Sequence, residues 1–365
     1  MSSEPRFSDN NYQTQLDRKS QVFRQKLADA NLPLPTIDVY PSAPTGFRMR
    51  AEFRIWHEQG KAHYAMNHPG EKKPYIIEDF PIGSILINTL MPPILSAING
   101  NPVLSKKLFS IEFLTTTRDE ALITLIYHRP LDQDWQRAAE QLQADLNIHI
   151  IGRSRKQKLV LNRDYVTECL SIQGRDYLYQ QIESGFTQPN AEVNCKMLSW
   201  ASDCLRDGRG DLIELYCGNG NFTAVLAQHF DRVLATEIAK ISVNSALENF
   251  KSNQIDNVTV ARLSSEELTQ ALNREREFRR LAEVDLDSYN FSTIFVDPPR
   301  AGLDASTEKL VTEFDNILYI SCNPDSLIQN LKSITQTHKI QKVALFDQFP
   351  WTEHVESGVF LKQHI

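Results

Sequence analysis

The 365-residue chain is narrowed first by what it lacks. Its five cysteines, Cys169, Cys195, Cys204, Cys217 and Cys322, include no C-x-x-C pair. That argues against a disulfide framework, a zinc ribbon or an iron–sulfur cluster, so no metal is expected. No stretch approaches the ~20 apolar residues of a membrane span. The opening Met1-Ser2-Ser3-Glu4-Pro5-Arg6 does not read as a secretory signal, and a cytoplasmic protein is expected. An excess of basic charge is missing too. With a net charge of −7, contact with nucleic acid must come from local patches. What remains is 41% hydrophobic and 23% charged residues, an ordinary globular composition with length for two or three domains.

The first half mixes element types. Residues 10–30 read as a polar amphipathic helix, stopped by Leu32-Pro33-Leu34-Pro35. Phe47 to Trp56 and His63 to Met66, around Gln59-Gly60, read as a β-hairpin. A helix follows near Ser84 to Ile98, with Pro92-Pro93 interrupting its pattern. Ser110–Thr115 and Ala121–Tyr127 read as strands, and Asp132 to Leu146 as a helix. Ile148–Ile151 and Lys158–Leu161 are strands beside a basic turn. This is an α+β domain, assigned to residues 1–180.

Residues 181–365 alternate instead. Helices at Ala191–Arg206, Phe222–His229 and Lys240–Asn253 separate strands at Asp211–Tyr216, Arg232–Thr236 and Val258–Ala261. Thr293–Val296 and Ile317–Ile320 are short apolar runs of the buried-strand kind. The pattern predicts an α/β class, a doubly wound, Rossmann-like parallel sheet with its ligand at the carboxyl ends of the strands. The charged stretch Asn273 to Asp287 reads as an inserted, solvated helix.

Three strand ends carry chemistry. In Leu215-Tyr216-Cys217-Gly218-Asn219-Gly220-Asn221-Phe222 two glycines open a turn to close ligand approach. Thr223 breaks the dinucleotide fingerprint G-x-G-x-x-G. One β-α-β step later Glu237 ends a strand, placed to accept the hydroxyls of a ribose. Val296-Asp297-Pro298-Pro299 holds an acid at a rigid exit, a pattern that also suits amino-group methyltransferases. The next strand ends in Ser321-Cys322-Asn323-Pro324. A thiolate there could activate a uracil by adding to C6, because C5 alone is too weak a nucleophile for a sulfonium methyl. A base must then remove the C5 proton, and Glu356, Glu353 and His354 all stand as candidates.

These residues carry a resemblance. Phe186-Thr187-Gln188-Pro189-Asn190, the L-Y-C-G-N-G-N-F turn, Thr236-Glu237-Ile238, V-D-P-P-R-A-G-L-D, I-S-C-N-P and H-V-E-S-G together resemble the TrmA-type tRNA (uracil-5-)-methyltransferases. The match includes Arg50 to Trp56 and spans nearly the whole chain. It implies a C-terminal S-adenosylmethionine-dependent methyltransferase domain behind an N-terminal RNA-binding domain. Gln188, Tyr216, Asn221, Glu237 and Asp297 would bind S-adenosylmethionine, with Cys322 the nucleophile and Glu356 the proton acceptor. The implied partner is tRNA through its T-arm, with tmRNA beside it, and a monomer is expected. Related rRNA enzymes often carry an N-terminal cysteine cluster, absent here, which favours the tRNA branch. An rRNA uridine methyltransferase and a tRNA-folding chaperone are the alternatives.

A looped base must leave its stack to meet a thiolate. Arg48, Arg50, Arg54 and Trp56 share one face of a strand and, with Phe109, offer cations and rings for RNA. Arg54 and Phe109 match T-loop positions by the resemblance. Gly152-Arg153-Ser154-Arg155-Lys156-Gln157-Lys158 is the densest basic run, suited to phosphate.

Overall fold

The computed structural model describes residues 7–67, 70 and 73–364. By contact the chain divides into two compact units. One holds the described part of Met1–Ser42 with Leu170–Tyr179 and Glu192–Ile365, the other Ala43–Cys169 with Gln180–Ala191. The chain thus crosses between units more than once, where the sequence suggested one boundary near residue 180. No helix among the described residues is long and apolar enough to cross a membrane.

The chain opens with α1 (Asp9–Asp29), capped by the Ser8 side chain accepting from the Asn11 amide. Tyr12, Leu16, Lys19, Phe23 and Leu27 recur at helical spacing and form its buried stripe. Strand β1 (Ile37–Tyr40) follows.

The second unit is built on a seven-stranded sheet in the order β4-β3-β2-β5-β6-β7-β8. The strands are β2 (Arg50–Glu58), β3 (Lys61–Met66), β4 (Tyr75–Ile76), β5 (Leu108–Thr115), β6 (Ala121–Tyr127), β7 (His149–Ser154) and β8 (Gln157–Val160). Helices α2 (Ile85–Gly100), α3 (Pro102–Ser105) and α4 (Gln133–Leu146) complete its core. Pro92 and Pro93 do not break α2. Its Ile87, Leu90, Met91, Ile94 and Ile98 are buried, and that packing outweighs the lost backbone bonds. A two-stranded hairpin of β9 (Tyr165–Ile172) and β10 (Arg175–Ile182), not foreseen from sequence, closes this stretch.

The first unit holds the eight-stranded sheet. In chain order it adds α5 (Ala191–Cys204), β11 (Asp211–Leu215), α6 (Thr223–Leu226), β12 (Val233–Thr236), α7 (Lys240–Ser252), β13 (Val258–Ala261) and α8 (Ser265–Leu272). Then come β14 (Phe291–Val296), α9 (Ala305–Val311), β15 (Asn316–Ser321), α10 (Pro324–Ile334), β16 (His338–Phe346) and β17 (Glu356–Gln363). The order is β1-β16-β17-β15-β14-β11-β12-β13. The sheet is Rossmann-like but not wholly parallel, because β17 runs antiparallel to both β15 and β16. Asn273 to Asp287 is not a helix either. It is turns and two short 3-10 segments, with Phe278 and Leu281 buried in the core, which a solvated helix would not allow.

Candidate active site

The carboxyl ends of four parallel strands converge on one edge of the sheet, as a doubly wound topology requires. At the end of β11, Tyr216 takes a φ of 62°, and its hydroxyl donates to Ser265 Oγ at 2.8 Å. Gly218 follows at φ 57°, and a Cβ built there meets nothing within 4 Å. Its N–H donates to Glu237 Oε2 at 3.1 Å, so the acid ending β12 is tied to the glycine turn. Glu237 Oε1 also accepts from the Ala239 amide at 2.7 Å. The Asn221 and Asn194 side chains exchange two bonds, at 2.9 and 3.0 Å. Open space above Gly218 beside a ribose-type acid makes a cradle that fits the nucleoside of S-adenosylmethionine. Gln188 lies in the other compact unit.

Asp297 stands at the end of β14, which flanks β11 on the side away from β12. It keeps some exposure, yet burial of its carboxyl pushes the pKa up to about 7. Cys322 follows β15 directly, half-buried. The antiparallel pairing of β15 with β17 sets Ser321 opposite Ser357, and the Ser357 hydroxyl donates to Ser321 O at 3.1 Å. One residue beyond that pair, on either strand, stand Cys322 and Glu356. Burial pushes the Cys322 thiol up to about 11, with the charges of Glu356 and Asp297 adding and that of Arg300 opposing. The Glu356 carboxyl, 5% exposed, is raised well above the ordinary range by burial and then by Asp297. Glu353 and His354 are exposed instead, Glu353 paired with Arg18 and His354 Nδ1 3.4 Å from Arg300. A cavity of about 180 Å³ opens beside Cys322, lined also by Arg300, Asn323, His354 and residues of α1.

In the other unit the even-numbered residues of β2 face outward. Arg54 lies over the Phe109 ring at 5.6 Å, and Phe109 stacks on His128 at 4.2 Å. Arg50 does not share that freedom. Its guanidinium bonds Glu112 at 2.6 Å and the carbonyls of Gly185 and Glu183 at 2.7 Å each, so it is a structural tie. Arg48 is partly desolvated, its Nε donating to Arg50 O at 3.0 Å. In the basic run Arg153 and Lys158 both pair with Glu183, while Arg155 and Lys156 at the turn are exposed.

Sequence reasoning missed the N-terminal helix as a wall of this cavity. Its signal was Lys19, a lone cation within the apolar stripe of α1.

Comparison with known proteins gives the family. A relative named tRNA/tmRNA (uracil-C(5))-methyltransferase from Cellvibrio japonicus is 56% identical over 352 residues, 96% of each chain. One of the same name from Teredinibacter turnerae is 59% identical over 330 residues, 90% of this chain and 91% of that one. The crystal structure of Pyrococcus abyssi tRNA (uracil-54, C5)-methyltransferase with S-adenosyl-L-homocysteine superposes with a TM-score of 0.73 at 20% identity. It covers 96% of this chain and 83% of that one, a likeness of fold. The profile of the tRNA (Uracil-5-)-methyltransferase family matches residues 11–364, and the chain belongs to that family.

Proposed function

We propose that the chain methylates carbon 5 of a uridine in tRNA, the T-loop uridine that becomes ribothymidine, with S-adenosylmethionine as methyl donor. The observation that carries this reading is the register of β15 on β17, which makes Cys322 and Glu356 neighbours at the edge where Asp297 also ends its strand. Tyr216, Asn221, Glu237 and Asp297 would hold the donor, whose sulfonium supplies an electrophilic methyl group.

In this reading the Cys322 thiolate adds to C6, and the C5=C6 electrons move toward the C4 carbonyl, making C5 nucleophilic. After C5 is methylated, the Glu356 carboxylate takes the C5 proton. That electron pair re-forms C5=C6 and the C6–S bond breaks, returning the thiolate. Burial disfavours the charged form of both the Cys322 thiol and the Glu356 carboxyl. Arg300 favours ionisation of both. Burial suits Glu356 to act on a covered substrate, and the exposed Glu353 and His354 suit it less. The Arg54–Phe109–His128 surface offers stacking for unpaired bases, in support of RNA recognition by the second unit. The same reading takes the protein as a cytoplasmic monomer acting on tRNA and on tmRNA.

The test is methyl transfer from labelled S-adenosylmethionine to an unmodified tRNA transcript, with the product nucleoside identified. Label on uridine C5 in the T-loop is expected. Label on an exocyclic amine would overturn the chemistry, and transfer to rRNA alone would overturn the substrate.

A further inference from the structure

The buried stripe of α1 contains four apolar side chains and one lysine. Lys19 is 4% exposed, and its ammonium spends all three protons on one loop. Nζ donates to Asp347 Oδ1 at 2.7 Å, Phe349 O at 2.9 Å and His354 O at 3.0 Å. That loop joins β16 to β17, and Glu356 is the first residue of β17. Two of the three bonds therefore hold backbone carbonyls of the lead-in to Glu356, one of them two residues away. The loop has little else of regular structure, and Trp351 within it sits at a φ of 65°. Gln15, one helical turn before Lys19, accepts the Trp351 N–H at 2.7 Å. Stability alone does not account for Lys19, because a buried ion pair is commonly no better than an apolar pair of the same shape. Geometry does account for it. A base must lie within hydrogen-bond reach of its proton, and a misplacement of about 1 Å costs about 100-fold.

We propose that Lys19 is a positioning residue for the second half of the reaction, latching the Asp347–Val355 loop so that Glu356 meets the C5 proton of the methylated adduct. This rests on the reading of Glu356 as the base. Unlatching the loop leaves addition and methyl transfer intact and slows only proton removal, so the cysteine–RNA adduct outlives its methylation.

The experiment compares wild type, Glu356→Gln, Lys19→Met/Asp347→Asn and Gln15→Ala on an unmodified tRNA transcript. It follows label transfer and the adduct that survives denaturing gel electrophoresis. The double variant leaves no buried charge unpaired, and Gln15→Ala loosens the same loop should the double variant not fold. Glu356→Gln is expected to accumulate methylated adduct. The double variant is expected to release product about tenfold or more slowly, with methyl transfer within about twofold of wild type. Gln15→Ala is expected to shift in the same direction. Loss of transfer and release in equal proportion, or release at the wild-type rate, would overturn the positioning role. A Glu356→Gln protein that releases product normally would instead overturn the base, and with it this inference.

Discussion

Glu214 is a buried carboxyl that the proposed chemistry leaves idle. It is 1% exposed in β11, its Oε2 has no hydrogen-bond partner among the described residues, and burial pushes its pKa from 4.5 up to about 8. A folded-state pKa raised above the unfolded value gives stability that is complete below about 4.5. It is lost progressively as pH climbs to about 8. Glu214→Gln should therefore be more stable than wild type at pH 8.5, by on the order of a few kcal/mol. Near pH 5 the gap should close. Thermal unfolding at both values checks this, and a gap that does not change with pH would refute it. Other single residues differed in how well sequence exposed them. The place of Cys322 just past a strand was legible because Ile317 to Ile320 form an apolar run that ends at Ser321. Glu356 was not separable from Glu353 and His354, because its burial and its nearness to Cys322 come from a long-range antiparallel pairing. Lys19 was hidden because a lysine in a polar amphipathic helix reads as part of its solvated face, whereas it lies in the buried stripe.

At the scale of elements, β17 shows why the strand-by-strand reading stopped short. Its Val359, Phe360 and Leu361 are an apolar run, but an antiparallel strand inserted between β15 and β16 leaves no local mark of where it pairs. Asn273 to Asp287 failed in the opposite way. Charge suggested a solvated helix, while two buried side chains, Phe278 and Leu281, pull the segment into turns. The face of β2 was legible from alternation, but the division of labour along it was not. Arg50 is consumed by Glu112 and two carbonyls, and Arg54 rests on Phe109. The same holds in the turn between β7 and β8. Replacing Arg155 and Lys156 by alanine should weaken tRNA binding and reduce the salt slope of log K by about 1–2. Arg50→Ala should instead lower the melting temperature of the protein. An unchanged salt slope in the double variant would remove that turn from the RNA surface.

The whole molecule was legible at the level of family and fold class because its motifs are local strings at strand ends. The run of the chain was not. Residues near the N-terminus cluster with the C-terminal half, so β1 joins the large sheet beside β16 and α1 lines the cavity next to Cys322. Tertiary partners more than 300 residues away, such as Lys19 and Asp347, leave no periodicity to read. The central claim at this scale is that one thiol at the sheet edge bonds the uridine. It is tested most directly with a tRNA transcript carrying 5-fluorouridine, whose fluorine cannot be removed as a proton, so the adduct is held. Mass spectrometry of the digested complex should find the nucleotide on the peptide containing Cys322, and none with Cys322→Ala. An adduct on Cys217 or another cysteine, or no adduct while ordinary tRNA is still methylated, would contradict the account.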